Sequence, residues 1–184
     1  MKETRLIGRG GQGVVLASEM LCYALAIEEK YVSAFPSFGV ERRGAPVFAS
    51  LRFDNKNIRE ITQVYRPDCV MIFDRKQSRQ LNENIQGIKP DGILIVNLPA
   101  KSPPQCLPEK VAAVAVVDAN AIALQEIGVS ISNTCMLGAF ARATGWVKLE
   151  SVMKALANHF HTTLLQKNMN AARKGYEEVT FLHL

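Results

Sequence analysis

The stretch that most constrains this chain is its start. Leu6-Ile7-Gly8-Arg9-Gly10-Gly11-Gln12-Gly13-Val14-Val15 joins an apolar strand to a helix through a loop with four glycines. Such a turn brings backbone N–H groups and the positive end of a helix dipole to one spot. It suits close approach by something, and its spacing alone does not say what. Three readings stay open: a tight turn that needs glycine only for its dihedrals, a phosphate cradle, or a surface packed against a partner. Gly10 is expected to hold a left-handed position in this turn.

The rest of the chain reads as strands alternating with helices, then helices only. Thr4–Ile7, Tyr31–Phe35, Pro46–Phe53, Cys69–Phe73, Ile93–Val96 and Val111–Val117 are predicted strands, the last of these closing the set. Cys69–Phe73 and Ile93–Val96 are uninterrupted apolar runs, as in strands buried on both faces. Val14–Ala26 is a predicted helix with Val14, Ala17, Leu21, Ala24 and Leu25 on one stripe. Gln77–Ile85 reads as helical. Asp118 is a predicted N-cap and Gly128 a stop. Helices follow over Ser132–Thr144, which ends at Gly145, and on the stripes Leu149, Val152, Met153, Leu156, Phe160 and Leu165, Met169, Ala172, Tyr176. Pro36–Ala45 is a ten-residue loop between strands two and three, a length often associated with function. Pro99–Pro108 holds four of the eight prolines and reads as an irregular connection. The pattern predicts an α/β fold: a three-layer sandwich with a mostly parallel mixed sheet and a helical C-terminal half. With 184 residues and no linker, one domain over 1–184 is expected.

Composition removes several function classes. Twenty-two basic and 17 acidic residues give a net charge of +5, without the basic runs of a nucleic-acid tail. Cys22, Cys69, Cys106 and Cys135 form no Cys-x-x-Cys pair, so a zinc or iron–sulfur site held by this chain alone is not expected. No apolar run reaches the roughly 18 residues a membrane span needs, and no signal peptide opens the chain. A cytoplasmic location is expected. His159 and His161 lie two apart on a helix and face different ways. Asp74 and Asp118 end apolar strands, where α/β active sites collect, yet each reads better as a cap or turn former. Trp146 reads as a packing residue. The residues equip the chain poorly for catalysis.

Two motifs remain. Gly8-x-Gly10-x-x-Gly13 matches the dinucleotide fingerprint in form. The second strand, however, ends Ser33-Ala34-Phe35 without the acid that would hold a ribose, and Arg9 and Gln12 intrude on what should be a bare turn. The other motif is Phe38-Gly39-Val40-Glu41-Arg42-Arg43-Gly44-Ala45-Pro46-Val47, whose arginines offer planar forks for phosphate or carboxylate. A solvated turn with Glu41 pairing one arginine is the plainer reading of it.

Together, in this order, these motifs resemble the gamma subunit, or gamma domain, of the 2-oxoacid:ferredoxin oxidoreductases. Pro67-Asp68, the Asp118–Gly128 helix, Asn133 with Leu137-Gly138-Ala139, and Asn168–Tyr176 extend the likeness over nearly the whole chain. The Glu41-Arg42-Arg43-Gly44-Ala45-Pro46 form is most similar to the pyruvate type, while Val40 departs from the proline common there. The resemblance implies one part of a multi-subunit enzyme with alpha, beta and delta subunits. That enzyme decarboxylates a 2-oxoacid on thiamine diphosphate with magnesium, passes electrons through iron–sulfur clusters to ferredoxin, and loads the acyl group on coenzyme A. It implies no cofactor held by this chain alone, no catalytic residue, and no membrane or nucleic-acid partner. Gly8, Gly10, Gly11, Gln12, Gly13, Glu41, Arg42, Arg43 and Gly44 are the residues expected to face a partner subunit or coenzyme A. A homodimer of the isolated chain stays open. The alternative is a stand-alone dinucleotide- or nucleotide-binding module using Gly8 to Gly13.

Overall fold

The computed structural model describes residues 1–38, 46–79, 81–99 and 111–182. In chain order these form β1 (Lys2–Arg9), α1 (Val14–Ile27), β2 (Tyr31–Phe38), β3 (Pro46–Asp54), β4 (Cys69–Ile72), a 3-10 turn (Gln77–Arg79), α2 (Leu81–Asn84), β5 (Gly92–Asn97), β6 (Val111–Val117), α3 (Ala119–Glu126), α4 (Asn133–Thr144), α5 (Leu149–His159), α6 (Thr162–Glu178) and β7 (Thr180–Leu182). The strands make one seven-stranded mixed sheet in the order β2-β3-β1-β4-β5-β6-β7. Its centre, β1, β4, β5 and β6, is parallel. β3 runs antiparallel to both β1 and β2, and β7 antiparallel to β6.

Alternation along the strands divides the core in two. Leu6, Met71, Ile95 and Ala115 point to one face, where α1, α4, α5 and α6 pack. Ile7, Val70, Ile72, Leu94, Val96 and Val114 point to the other, where Leu81 of α2 is the main helical cover. Both faces are buried at the central strands, which is why their sequences are apolar without interruption. Toward β3 the second face is crossed by an irregular strap, residues 57–66. Two arginines pin it by taking its backbone carbonyls. Arg52, 3% exposed, donates to the carbonyls of Thr62 and Gln63 and to Glu3 Oε1. Arg5 donates to the carbonyls of Val64, Tyr65 and Gln86.

On the helical face, α4 is buried from Asn133 to Ala141 and lies directly against α6. Their backbones meet at two glycines. A Cβ on Gly138 would stand 1.8 Å from the carbonyl oxygen of Ala172, and one on Gly175 would stand 2.1 Å from that of Cys135. Trp146 packs as expected, tilted against Phe53 and edge-on to Phe140.

Four expectations need correction. β2 continues through Pro36 to Phe38 rather than ending at Phe35. It is an edge strand, where a missing N–H removes no ladder bond. The 77–85 helix is broken into a 3-10 turn and one helical turn. β6 is not the last strand, because β7 follows α6 and is too short for its period to be read. The left-handed glycines of the first loop are Gly11 (φ 93°) and Gly13 (φ 71°), and Gly10 is not among them.

Candidate functional site

The connections leaving β1 and β4 set the geometry. From β1 the chain crosses by α1 on the helical face to β2, on one side of β1. From β4 it crosses by α2 on the opposite face to β5, on the other side. Strand order therefore reverses between β1 and β4. A crevice opens at the carboxyl ends of such neighbouring strands, and this is where open α/β sheets bind ligands. The glycine loop forms one lip and the turn after β4 the other.

Gln12 shapes the first lip. Its backbone N–H donates to the carbonyl of Arg9 (3.1 Å), and its side-chain Oε1 accepts from the Arg9 N–H (2.8 Å). Gly8 has room for this only without a Cβ, which would sit 2.5 Å from Val14 Cγ2 and 2.9 Å from Gln12 Oε1. Gly10 and Gly11 are exposed at the tip. Gly13 is the left-handed N-cap of α1, and no side chain caps that helix. Asn133, at the start of α4, packs on Gly13 so closely that a Cβ there would meet its Nδ2 at 2.6 Å. The N-termini of α1 and α4 thus converge on this loop.

Asp74 ties the two lips together. Its Oδ2 accepts from Gln12 Nε2 (3.0 Å), and its Oδ1 lies 3.5 Å from Arg9 Nε. The same Oδ1 accepts from the N–H groups of Lys76 and Gln77, both at 3.0 Å. The expected turn former is thus also the latch of the glycine loop. Asp118 does what its N-cap position predicts, accepting from the Ala121 N–H at 3.0 Å, and it holds Arg75 in an ion pair.

A buried amide chain missed by the sequence reading extends the rim. Asn97, fully buried at the end of β5, donates from Nδ2 to the Phe73 carbonyl (2.7 Å) and pairs with Asn120. Asn120 donates in turn to Ser130 Oγ at 2.8 Å, which brings the α3–α4 connector to the same end of the sheet. The available signal was a polar residue closing the apolar run Ile93–Val96. Glu41, Arg42, Arg43 and Gly44 lie outside the described residues; Ser37 and Pro46, on either side of them in the chain, line one hollow with Arg9. Among the described residues no group of three or more His, Cys, Asp or Glu could hold a metal ion. Burial, helped by Glu19, pushes the Cys22 thiol up to about 12, and burial also raises Cys69 and Cys135. These thiols are therefore poor nucleophiles at neutral pH.

The dinucleotide reading loses its footing here. In that fingerprint the second strand stands next to the first, whereas β3 separates β1 from β2 in this sheet.

Residues 3–178 match the model of the pyruvate ferredoxin/flavodoxin oxidoreductase family. The chain belongs to that family. The common gamma subunit of the pyruvate/ketoisovalerate oxidoreductases of Pyrococcus furiosus is 47% identical over 187 residues, covering all of both chains. The gamma subunit of NADH-dependent phenylglyoxylate dehydrogenase from Aromatoleum evansii is 43% identical over 185 residues, covering 100% of this chain and 97% of that one. The crystal structure of pyruvate oxidoreductase subunit PORC from Thermotoga maritima superposes with a TM-score of 0.83 at 38% identity, over 99% of this chain and 98% of that one. Within the family the chain is of the gamma type, with the latched glycine loop at its switch point.

Proposed function

We propose that this chain is the gamma subunit of a 2-oxoacid:ferredoxin oxidoreductase of the pyruvate type. The complex oxidatively decarboxylates the 2-oxoacid to an acyl-coenzyme A and reduces ferredoxin. The observation that carries this reading is full-length similarity to gamma subunits, end to end on both sides. In this reading thiamine diphosphate, magnesium and the iron–sulfur clusters belong to the alpha, beta and delta partners. The gamma chain contributes assembly and engagement of coenzyme A, within the cytoplasm. No helix among the described residues is long and apolar enough to cross a membrane, in keeping with that location.

The glycine loop and the Glu41–Gly44 segment are the surfaces assigned to coenzyme A or to a partner subunit. Their residues supply backbone N–H groups and arginines, which bind anions and transfer no protons at neutral pH. A chain with this role need not choose the 2-oxoacid. One relative is named as a subunit common to two oxidoreductases, and another belongs to a phenylglyoxylate enzyme.

Reconstitution tests the proposal. Turnover with pyruvate, 2-oxoglutarate and branched-chain 2-oxoacids is measured with and without this chain. Coenzyme A-dependent activity that requires the chain is expected, with pyruvate preferred. Full activity in its absence overturns the assignment.

A further inference from the structure

At the end of the sheet opposite the glycine loop, α1 and α5 leave a cleft of about 730 Å³ between them. α1 starts at the glycine loop and runs for 14 residues, so its far end lies about 21 Å away. Glu28, Glu29 and Lys30, which follow α1, form one wall of the cleft, and the first two turns of α5 form the other. One bond ties the walls together: the Lys148 N–H donates to Glu28 Oε1 at 2.7 Å. That bond satisfies a group just ahead of the helix. No side chain caps α5 itself, and the N–H groups of a first turn have no partner within their own helix.

Ser151, in that first turn, points to a ligand. It lines the cleft at 5% exposure, and among the described residues its hydroxyl has no hydrogen-bond partner. Buried hydroxyls are ordinarily paired, and a helical serine commonly turns back to a carbonyl one turn earlier. Here that bond is absent, and the oxygen is not closed off within the core. Lys148 and Lys154 flank Ser151, three residues before it and three after, and both are exposed. Glu29 and Glu150 share the rim, and Glu150 precedes Lys154 by the four residues at which helix ion pairs form. Even so, among the described residues no ion pair joins either carboxylate to either lysine. Lys30, the third lysine of the rim, is engaged by Asn55 Oδ1 at 2.6 Å. One hydroxyl, the first-turn amides and two ammonium groups thus stand together as donors without acceptors.

We propose that this cleft binds a small oxyanion of the phosphate type. Its oxygens accept from the Ser151 hydroxyl and from the first-turn N–H groups of α5, while Lys148 and Lys154 supply the counter-charge. A helix N-terminus favours such an anion because its N–H groups and its dipole act in the same direction. Lysine suits the rim, since it is a compact charge on a flexible stem that reaches an anion without a fixed geometry. Glu29 and Glu150 oppose the anion, which keeps the site weak and sensitive to salt. The site is independent of the glycine loop and of the proposed engagement of coenzyme A. Its natural occupant is either inorganic phosphate or a phosphate monoester.

The test titrates the full chain with inorganic phosphate, glycerol 3-phosphate and potassium chloride at matched ionic strength, followed by the NMR shifts of the backbone amides. Phosphate is expected to give saturable shifts in the first turn of α5, and chloride none. Ser151→Ala is expected to weaken phosphate about tenfold, as for a lost hydrogen bond to a charged group. Lys154→Gln is expected to weaken it about threefold, and Glu150→Gln, which removes an opposing charge, to tighten it about twofold. Ser151→Ala deletes a hydroxyl that has no partner, so its melting temperature should match that of the parent. If the melting temperature falls instead, the two exposed variants decide the matter by their opposite signs. Absence of saturation, shifts centred elsewhere on the chain, or phosphate affinity unchanged in Ser151→Ala and Lys154→Gln overturns the proposal. Glycerol 3-phosphate binding as tightly as phosphate assigns the cleft to monoesters, and phosphate binding alone assigns it to the free anion.

Discussion

Gly138→Ala puts the helical half of the fold to a test whose sign is diagnostic. Taken alone, alanine in a helix interior is better than glycine by about 1 kcal/mol. The packing says the opposite. The new Cβ would lie 1.8 Å from the Ala172 carbonyl oxygen, 2.8 Å from its carbon and 2.9 Å from the Tyr176 nitrogen. A carbon and a carbonyl oxygen rest at roughly 3.3 Å, so α6 must retreat by about 1.5 Å. Those atoms are backbone and cannot rotate aside. Overpacking of this kind costs about 3 kcal/mol, the upper part of its usual range. The gain in propensity offsets a third of that, leaving a net loss of about 2 kcal/mol. For a chain of this size the melting temperature should fall by roughly 4–8 °C. Thermal and urea unfolding followed by circular dichroism read both quantities. A variant as stable as the parent, or more stable, refutes the close approach of α4 and α6. Gly175→Ala meets the Cys135 carbonyl at 2.1 Å in the same interface. Once one methyl has parted the helices the other costs less, so the double variant should lose less than the sum of the singles.

Three further outcomes follow, two from the site and one from the opposite end of the sheet. In the glycine loop, Gly13→Ala should be worse than Gly11→Ala: it loses about 1–2 kcal/mol to its left-handed φ and more to Asn133, while Gly11→Ala, with open space around it, should lose only the first. Urea midpoints rank the two, and Gly11→Ala proving the costlier would mean the turn is misread. Gln12→Ala removes the bonds to the Arg9 N–H and to Asp74. It should cost about 1 kcal/mol and speed amide exchange at Arg9, and unchanged exchange there would count against the latch. Asp68 gives a pH dependence. Burial raises its pKa, but Lys89 Nζ at 2.8 Å, the Glu3 N–H at 2.9 Å and the charge of Lys2 outweigh that and hold it below the ordinary value. Its folded pKa is thus the lower one, so its stabilisation is complete above the unfolded value of about 4 and disappears as pH falls through the folded value. Asp68→Asn should lower stability at neutral pH and flatten the loss of stability below about pH 4, and identical acid limbs would refute the pairing.

What the sequence made legible follows from which signals are local. Asp118 capping α3 and Gly145 ending α4 are written in one or two residues and their caps, and both stand where expected. The Val14 to Leu25 stripe is periodic over three turns and buries the residues it names. The latch was not legible, because it joins residues 62 apart. Asp74 could be recognised as a turn former from its neighbours alone, and only the sheet order shows that Gln12 faces it. The same holds for Gln77. It opens the segment expected to be helical, and it is buried in the 3-10 turn that stands there instead. β7 was lost for a different reason. Three residues carry no period, and β6 supplies the edge that orders them.

The state of the two carboxylates bears most directly on what kind of component this is. Asp74 and Asp118 end parallel strands β4 and β6, the positions from which α/β enzymes draw acids and bases. Both are spent. Asp74 receives two backbone N–H groups, Gln12 Nε2 and the charge of Arg9, and Asp118 receives the Ala121 N–H and Arg75. A carboxylate whose oxygens are occupied by several donors and an arginine is engaged in holding structure rather than meeting a substrate. Its effect is to hold a loop at fixed height. At this end of the sheet the acids therefore serve as struts, leaving the exposed backbone at the tip of the glycine loop for whatever approaches. Binding of an anionic group fits such a rim, and proton transfer does not. Under the proposed function this also accounts for the wide use of gamma subunits. A rigid anion-binding surface with no stake in the substrate's carbon skeleton can serve enzymes that differ in their 2-oxoacid, provided they share the group it holds.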